Sequence, residues 1–209
     1  MKRTLLVVGL LATAGLAQAG LSFQQIATGS RTEVFDGISG ISNIGIGSQV
    51  SLGKLMTNQL GSISFTYLGQ ESGYSDRLLT IAGATILTEG SGVGTTVTKA
   101  VNALGAIDFK FEGDAGKYAV NGGTWASGTS IGLIGANKSV NGKMFDFVLG
   151  YNDSAGAATS GDWDDFVIGV KFTPVSPVSA VPEPETYAMM LAGLGLIGTI
   201  ARRRNKIKA

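Results

Sequence analysis

The chain contains no cysteine and no histidine. Without cysteine it has neither disulfide bonds nor a thiol nucleophile, so its stability must come from packing alone. Without histidine it cannot form a Ser-His-Asp triad, and zinc sites built on either residue are excluded as well. Any acid–base or nucleophilic chemistry is therefore left to carboxylates, Lys, Tyr, Ser and Thr, and we predict that the protein is not an enzyme.

Proline is also scarce, and its distribution is uneven. The four prolines of the chain are at positions 174, 177, 182 and 184. Because proline ends strands and cannot continue a helix, the first two are expected to end a folded domain. We predict a domain at residues 20–173 and a linker of proline and small residues at 174–181.

The N-terminus has the pattern of a secretory signal peptide. Lys2 and Arg3 precede an apolar run at residues 4–16, and the Ala17-Gln18-Ala19 sequence is the small-x-small pattern of a cleavage site. The apolar run is too short for a retained transmembrane helix. We therefore predict a helical signal peptide at residues 1–19, which is cleaved after Ala19.

The C-terminal segment, residues 182–209, has three parts in a fixed order. Pro182, Glu183 and Pro184 form a stiff acidic start, and residues 187–201 contain no charged side chain. Fifteen helical residues span about 22 Å, which falls short of the ~30 Å hydrocarbon core unless flanking side chains snorkel. The segment ends in a basic cluster, which the positive-inside rule places in the cytoplasm; its arginines are Arg202, Arg203 and Arg204.

This arrangement of Pro182-Glu183-Pro184, an apolar helix and terminal arginines resembles the PEP-CTERM sorting signal of Gram-negative bacteria. A plain membrane anchor is the alternative interpretation of the same residues. The resemblance implies that the chain is exported by the Sec machinery and held transiently in the inner membrane by the helix at 187–201. It also implies that an exosortase, a membrane-embedded enzyme resembling a cysteine transpeptidase, processes the tail near the Pro-Glu-Pro motif.

Between the two terminal segments the chain is acidic. Seven of the 16 basic residues and two of the 15 acidic residues lie in those segments, which leaves residues 20–180 with a net charge near −4. A surface of this sign does not favour nucleic acid or anionic lipid as a partner.

Glycine and short apolar runs predict the fold. The chain has 32 glycines without a G-x-y period, and they separate short segments with alternating apolar residues. In the clearest of these, residues 106–112, every second residue is apolar, and residues 166–172 repeat the pattern. Roughly ten such strands predict an all-β domain, an antiparallel β-sandwich of jelly-roll-like type, flanked by the signal helix and the apolar C-terminal helix.

Three aspartates in one turn are the candidate metal ligands. Asp162, Asp164 and Asp165 directly precede the last predicted strand, with Asp153 shortly upstream. Hard cations such as Ca²⁺ bind carboxylate oxygens, although the spacing matches no EF-hand loop. The alternative, which we favour, is a solvated acidic turn that protects a sheet edge.

Two other groups of residues admit a functional interpretation. The aromatic residues Trp125, Trp163, Tyr74 and Tyr151 could form a flat platform for sugar rings, although packing is the more common role. The glutamates at positions 71, 89 and 112 are candidates for a carboxylate-based hydrolase, but nothing in their spacing pairs two of them.

The sequence therefore predicts an exported, non-enzymatic protein of the cell surface or extracellular matrix, connected with exopolysaccharide and biofilm. A carbohydrate-binding or adhesin module of the same fold is the alternative. No cofactor is expected other than a possible Ca²⁺ ion.

Overall fold

The computed structural model describes residues 16–18, 20–30, 49–123, 125–126, 128–153, 162–175, 189–190, 192–194 and 197. The chain divides into two compact units, Met1–Val175 and Ser176–Ala209. The described residues of the first unit are almost entirely strands and turns, and those of the second are helical.

Thirteen strands are present in the described residues of the first unit. Their bounds are β1 Leu16–Gln18, β2 Leu21–Ser30, β3 Gln49–Thr57, β4 Gly61–Gly69, β5 Arg77–Leu79, β6 Thr85–Thr88, β7 Thr96–Val101, β8 Gly105–Ala106, β9 Lys110–Glu112, β10 Tyr118–Val120, β11 Ser130–Val140, β12 Lys143–Asn152 and β13 Phe166–Pro174. A single 3-10 turn, Asp114–Gly116, separates β9 from β10.

The strands form two antiparallel sheets. The larger sheet has the order β1-β2-β3-β11-β12-β13-β4-β7, and β8 also pairs with β3. The smaller sheet has the order β10-β9-β5-β6. Every pairing within both sheets is antiparallel, which confirms the predicted all-β antiparallel class.

Aromatic side chains join the two sheets across a common core. Phe111 of the smaller sheet stacks on Tyr151 of the larger sheet, with ring centroids 5.2 Å apart and planes 5° apart. Phe65 of β4 meets Phe109 edge-on at 5.5 Å. Phe111 also meets Phe166 of β13 edge-on at 6.1 Å, and its contacts show that the sheets pack face to face, because they join β9 to strands of the larger sheet.

Period-two alternation accounts for much of this core. In β13 the side chains of Phe166, Ile168, Val170 and Phe172 are buried and belong to the main core, as the sequence predicts. Residues 106–112 differ from the prediction of one continuous strand. Ala106 pairs with β3 of the larger sheet, whereas residues 110–112 form β9 of the smaller sheet, so the chain crosses between layers here. The alternating burial of residues 106–112 is nevertheless as predicted, because one face of the segment stays on the core and the other stays toward solvent while the chain crosses.

The predicted terminal elements lie mostly outside the described residues. Residues 1–15 and 19 of the predicted signal peptide are not described, and Leu16–Gln18 form β1 against β2 rather than part of a helix. Cleavage after Ala19 stays a prediction. In the tail, residues 189–190, 192–194 and 197 are helical, within the range predicted for the apolar helix. Across the described residues, no helix combines the length and the apolarity needed to cross a membrane.

A buried asparagine ties the crossing segment to the larger sheet. Asn121 is 2% exposed. Its Oδ1 accepts the Leu55 N–H at 2.7 Å, and its Nδ2 donates to the carbonyls of Leu55 and Ile107 at 2.8 and 2.9 Å. The Asn121 side chain thus forms hydrogen bonds with backbone groups at a point where the hydrogen-bond ladder between strands does not continue.

We expect Asn121→Ala to lower the free energy of unfolding by about 3 kcal/mol, because it leaves the buried Leu55 N–H without an acceptor and removes two further bonds. Urea unfolding followed by circular dichroism measures the loss. The matched control is Asn102→Ala, an exposed position where the change should stay within about 0.5 kcal/mol. Equal stabilities of the two variants would contradict the assigned role of Asn121.

Candidate functional site

Three buried aspartates meet at one end of the packed sheets. Asp76 directly precedes β5, Asp153 directly follows β12, and Asp165 directly precedes β13. They are 2%, 1% and 5% exposed. We call these three residues the acidic cluster. Aspartate is seldom buried without a partner of opposite charge or several hydrogen bonds, so the cluster is the most unusual polar feature of the described residues.

Short hydrogen bonds hold the cluster in place. The Ser72 hydroxyl donates to Asp153 Oδ2 at 2.7 Å, and the Asp153 N–H donates to Asp165 Oδ2 at 2.7 Å. The Asp76 N–H donates to Glu89 Oε1 at 2.6 Å. These bonds connect the β4–β5 connection with the ends of β12 and β13, so elements that are distant in sequence position the three carboxylates together.

Several oxygen atoms at this end of the domain are left without partners. Within the described part of the chain, neither carboxylate oxygen of Asp76 has a hydrogen-bond donor, and the Tyr151 hydroxyl and Gln70 Oε1 also lack partners. The nearby Gly113 N–H is not available to Tyr151, because it donates to the Lys117 carbonyl at 2.9 Å. Unsatisfied buried groups of this kind are rare and call for a physical explanation.

The surroundings shift the ionisation of these groups strongly. Burial raises the pKa of Asp76 to about 9, and the negative charges of Asp153 and Asp165 add to the shift. Burial raises the pKa of Asp165 to about 7, against the effect of the Asp153 N–H. Burial and the charges of Asp76 and Asp153 also raise the pKa of Tyr151. The site thus disfavours ionised carboxylates and favours a bound proton or cation that neutralises their charge.

The predicted metal ligands are only partly assembled. Asp164 and Asp165 are 1% and 5% exposed, so the alternative of a solvated turn is wrong for both of them. Asp162 is half-buried. Among the described residues, no three acidic side chains are arranged to hold a metal ion. A Ca²⁺ ion bound by Asp162, Asp164 and Asp165 stays a prediction.

The predicted aromatic platform is not formed by these residues. Trp163 and Tyr151 are fully buried, so the platform interpretation is wrong for these two residues. Their burial agrees with the packing interpretation. Trp163 Nε1 donates to the Ser130 hydroxyl at 2.8 Å. Trp125 is half-buried against Val50, Leu52 and Trp163. Tyr74 is 47% exposed, and Lys117 Nζ lies 3.9 Å from the centroid of its ring. Two of the four rings are therefore unable to contact a sugar.

The candidate glutamates have separate structural partners. Glu112 Oε1 and Oε2 pair with Arg77 and Lys110 at 2.7 and 2.5 Å, and these cations lower the Glu112 pKa. Glu89 accepts the Asp76 N–H, and the Glu71 N–H donates to the Asp164 carbonyl at 2.9 Å. Each contact supports the backbone or a strand pair.

Sequence reasoning identified Asp165 and noted Asp153 but missed Asp76 and the Tyr151 hydroxyl. Asp76 lies in a polar connector and has no local pattern that distinguishes it from a surface aspartate. Its role depends on β5 belonging to one sheet and β12 to the other, which the sequence does not reveal.

The sorting residues Pro182, Glu183 and Pro184 and the basic residues Arg202, Arg203 and Arg204 lie outside the described residues. Of the apolar helix between them, Met189, Met190, Leu194 and Ile197 have exposed side chains.

Comparison with protein families finds one match, to the PEP-CTERM protein-sorting motif, over residues 180–205. No curated protein and no solved structure matches the chain. The matched range covers Pro182-Glu183-Pro184, the apolar helix and the three arginines, as the resemblance of these residues implied. The protein thus joins an antiparallel β-sheet domain to a PEP-CTERM protein-sorting motif, and that motif implies an exported protein processed by an exosortase.

Proposed function

We propose that this is a non-enzymatic protein of the cell surface or extracellular matrix, associated with exopolysaccharide and biofilm, whose tail is held in the inner membrane before an exosortase processes it. The single observation that carries the proposal is the sorting motif at residues 180–205. It directs the folded domain to the outside of the cell, where polysaccharide is the surrounding medium. The predicted signal peptide at the other end supports the same route.

The nature of the domain supports a structural role over a catalytic one. The chain has no histidine or cysteine, and the carboxylates that meet at one place are almost completely buried. A general acid or base must reach the proton that it transfers, which a buried aspartate does not do without movement. Trp163 and Tyr151 are too deeply buried to contact a sugar, so we do not propose carbohydrate binding as a second function.

The test is the intact mass of the protein recovered from its native host, measured separately in membranes, medium and extracted exopolysaccharide. We expect the wild-type product in the exopolysaccharide or medium to end close to Pro184. A variant with Pro182, Glu183 and Pro184 all changed to alanine should instead stay in the membrane and retain Ala209, because the processing enzyme no longer finds its motif.

The matched control is Pro177→Ala, which removes a proline just outside the matched range and should be processed as the wild type is. Wild-type protein that remains in membranes with Ala209 in place would overturn the sorting step. Processed protein found in the medium but never with polysaccharide would leave the sorting step standing and overturn the association with exopolysaccharide.

A further inference from the structure

We propose that the protein binds one Ca²⁺ ion between the carboxylates of Asp76 and Asp153, beside the backbone of Gly113. This site is independent of the sorting motif and differs from the turn at Asp162, Asp164 and Asp165 that the sequence suggests. Asp165 takes a positioning role in it, because its carboxylate accepts the Asp153 N–H at 2.7 Å.

The space beside Gly113 is bordered by side chains of Asp76, Asp153 and Tyr151. A methyl group placed on Gly113 would lie 2.5 Å from Asp76 Oδ1, 3.5 Å from Asp153 Cβ and 3.6 Å from the Tyr151 hydroxyl. These groups come from two parts of the chain, the residue before β5 and the end of β12, and the glycine leaves the point between them unfilled. A side chain at position 113 would displace the Asp76 carboxylate from this position.

The Tyr151 hydroxyl is a second indication that a ligand belongs there. Tyr151 is fully buried, its ring is fixed by stacking on Phe111, and its hydroxyl has no hydrogen-bond partner among the described residues. Asp76 is also buried, and neither of its carboxylate oxygens has a hydrogen-bond partner among the described residues. A cation between them would satisfy oxygens that the protein itself leaves unsatisfied.

A buried carboxylate elsewhere in the same domain shows the contrast. Asp146 is 7% exposed, yet its Oδ1 pairs with Lys171 at 2.6 Å and its Oδ2 accepts the Phe172 N–H at 2.7 Å. Within the described residues, no lysine or arginine forms an ion pair with Asp76 or Asp153. Residues 154–161, which follow Asp153 in the sequence, include no lysine or arginine. Within the described residues the two carboxylates therefore lack a positively charged partner, which a bound cation would supply.

The available atoms select a hard cation. Asp76 Oδ1 and the Tyr151 hydroxyl oxygen are the polar atoms nearest to the point, and the chain offers no histidine or cysteine to favour zinc or copper. Because no three acidic side chains of the described residues are arranged for a metal, the site uses two carboxylates and completes its shell with neutral oxygens and water. Ca²⁺ accepts such a mixed and irregular shell of six to eight oxygens, whereas Mg²⁺ demands near-ideal octahedral geometry.

A surface depression of about 220 Å³ borders Asp76, the one member of the acidic cluster that lines it. Its lining carries a charge of each sign, Glu89 and Arg77, and the Arg77 guanidinium is paired with Glu112 at 2.7 Å.

The experiment compares the purified full chain in mild detergent with Ca²⁺, with Mg²⁺ and with a chelator. Equilibrium dialysis with radioactive Ca²⁺ measures stoichiometry, and circular dichroism measures Tm. We expect one Ca²⁺ per chain and a Tm at least about 5 °C higher with saturating Ca²⁺ than with chelator, with a smaller shift for Mg²⁺. Equal Tm values with Ca²⁺ and chelator, together with no bound Ca²⁺, would overturn the proposal and leave a proton shared by the two carboxyls.

Two variants test the location. Asp76→Asn removes one charged ligand without changing its shape, and Gly113→Ala fills the space without removing a ligand; each should reduce the Ca²⁺ affinity at least about tenfold. Their controls are Asp108→Asn, an exposed aspartate whose amide oxygen can still accept the Ile81 N–H, and Gly73→Ala, where nothing lies within 4 Å. Undiminished Ca²⁺ binding by both Asp76→Asn and Gly113→Ala would place the ion elsewhere and sink the proposal.

Discussion

Gly150→Ala should lower the free energy of unfolding by at least about 3 kcal/mol, a large part of the 5–15 kcal/mol that holds a typical domain together. Gly150 lies in β12, paired with Gly132 on one side and Val167 on the other. A Cβ atom at position 150 would lie far inside van der Waals contact with the Trp163 carbonyl oxygen, and 2.9 Å from Ile134 Cδ1. The first of these neighbours is backbone and cannot rotate away.

Relief of this contact would require the segment before β13 to move. That segment is held at Trp163 and at the residue after it, because Ser130 accepts the Trp163 indole N–H and the Asp164 carbonyl accepts the Glu71 N–H. The added methyl group therefore strains the ladder of β11, β12 and β13 at its centre, rather than displacing one flexible side chain.

Urea unfolding followed by tryptophan fluorescence measures the effect, since both tryptophans belong to this domain. The matched control is Gly73→Ala, a glycine with nothing within 4 Å of the added Cβ, where we expect a change within about 0.5 kcal/mol. A Gly150→Ala variant as stable as the Gly73→Ala variant would show that the segment at Trp163 is not packed on β12 as described.

The sequence predicts the strands whose environment is simple. In β13 the apolar residues at a spacing of two, Phe166, Ile168, Val170 and Phe172, face the main core as predicted, although Val167 on the opposite face is buried as well. The same physics predicts which side chains of residues 106–112 are buried. It does not predict that this segment leaves one sheet for the other at Phe109, because alternation is the same whichever strand is the partner.

The outer face of the larger sheet shows where sequence patterns lose their information. Gly132 and Gly150 form a cross-strand pair, and the Trp163 indole lies on Gly132 with Val50 and Leu52 beside it. In a sequence, such glycines indicate turns, whereas here they create a flat place within two central strands. The contact joins residues that are far apart in the chain, so no local window contains it.

The two functional features differ in the same way. The sorting motif was predictable in full, because it is a contiguous segment that is defined by the order of its residues. The acidic cluster was predictable only in part, since Asp165 belongs to a conspicuous acidic turn but Asp76 does not. Burial converts an ordinary aspartate into an unusual one, and burial follows from the packing of the two sheets.

Trp163→Ala should lower the free energy of unfolding by about 4 kcal/mol, because Trp163 is fully buried and its removal leaves a large cavity over Gly132. The substitution also removes the indole N–H that donates to the Ser130 hydroxyl, and this hydroxyl is left buried without that donor. Glycine at positions 132 and 150 provides no side chain that could fill the space, so the cavity has little means of collapsing.

Circular dichroism during urea unfolding is the suitable measurement, since the substitution removes a fluorophore. Trp125→Ala is the matched control: that ring is half-buried in the same group of side chains, and its loss should cost about half as much. Similar losses for the two variants would contradict the central position of Trp163. A loss of about 4 kcal/mol for Trp163→Ala alone would instead show that this face of the sheet is a second core, and that the tryptophan contributes packing rather than a surface for sugar rings.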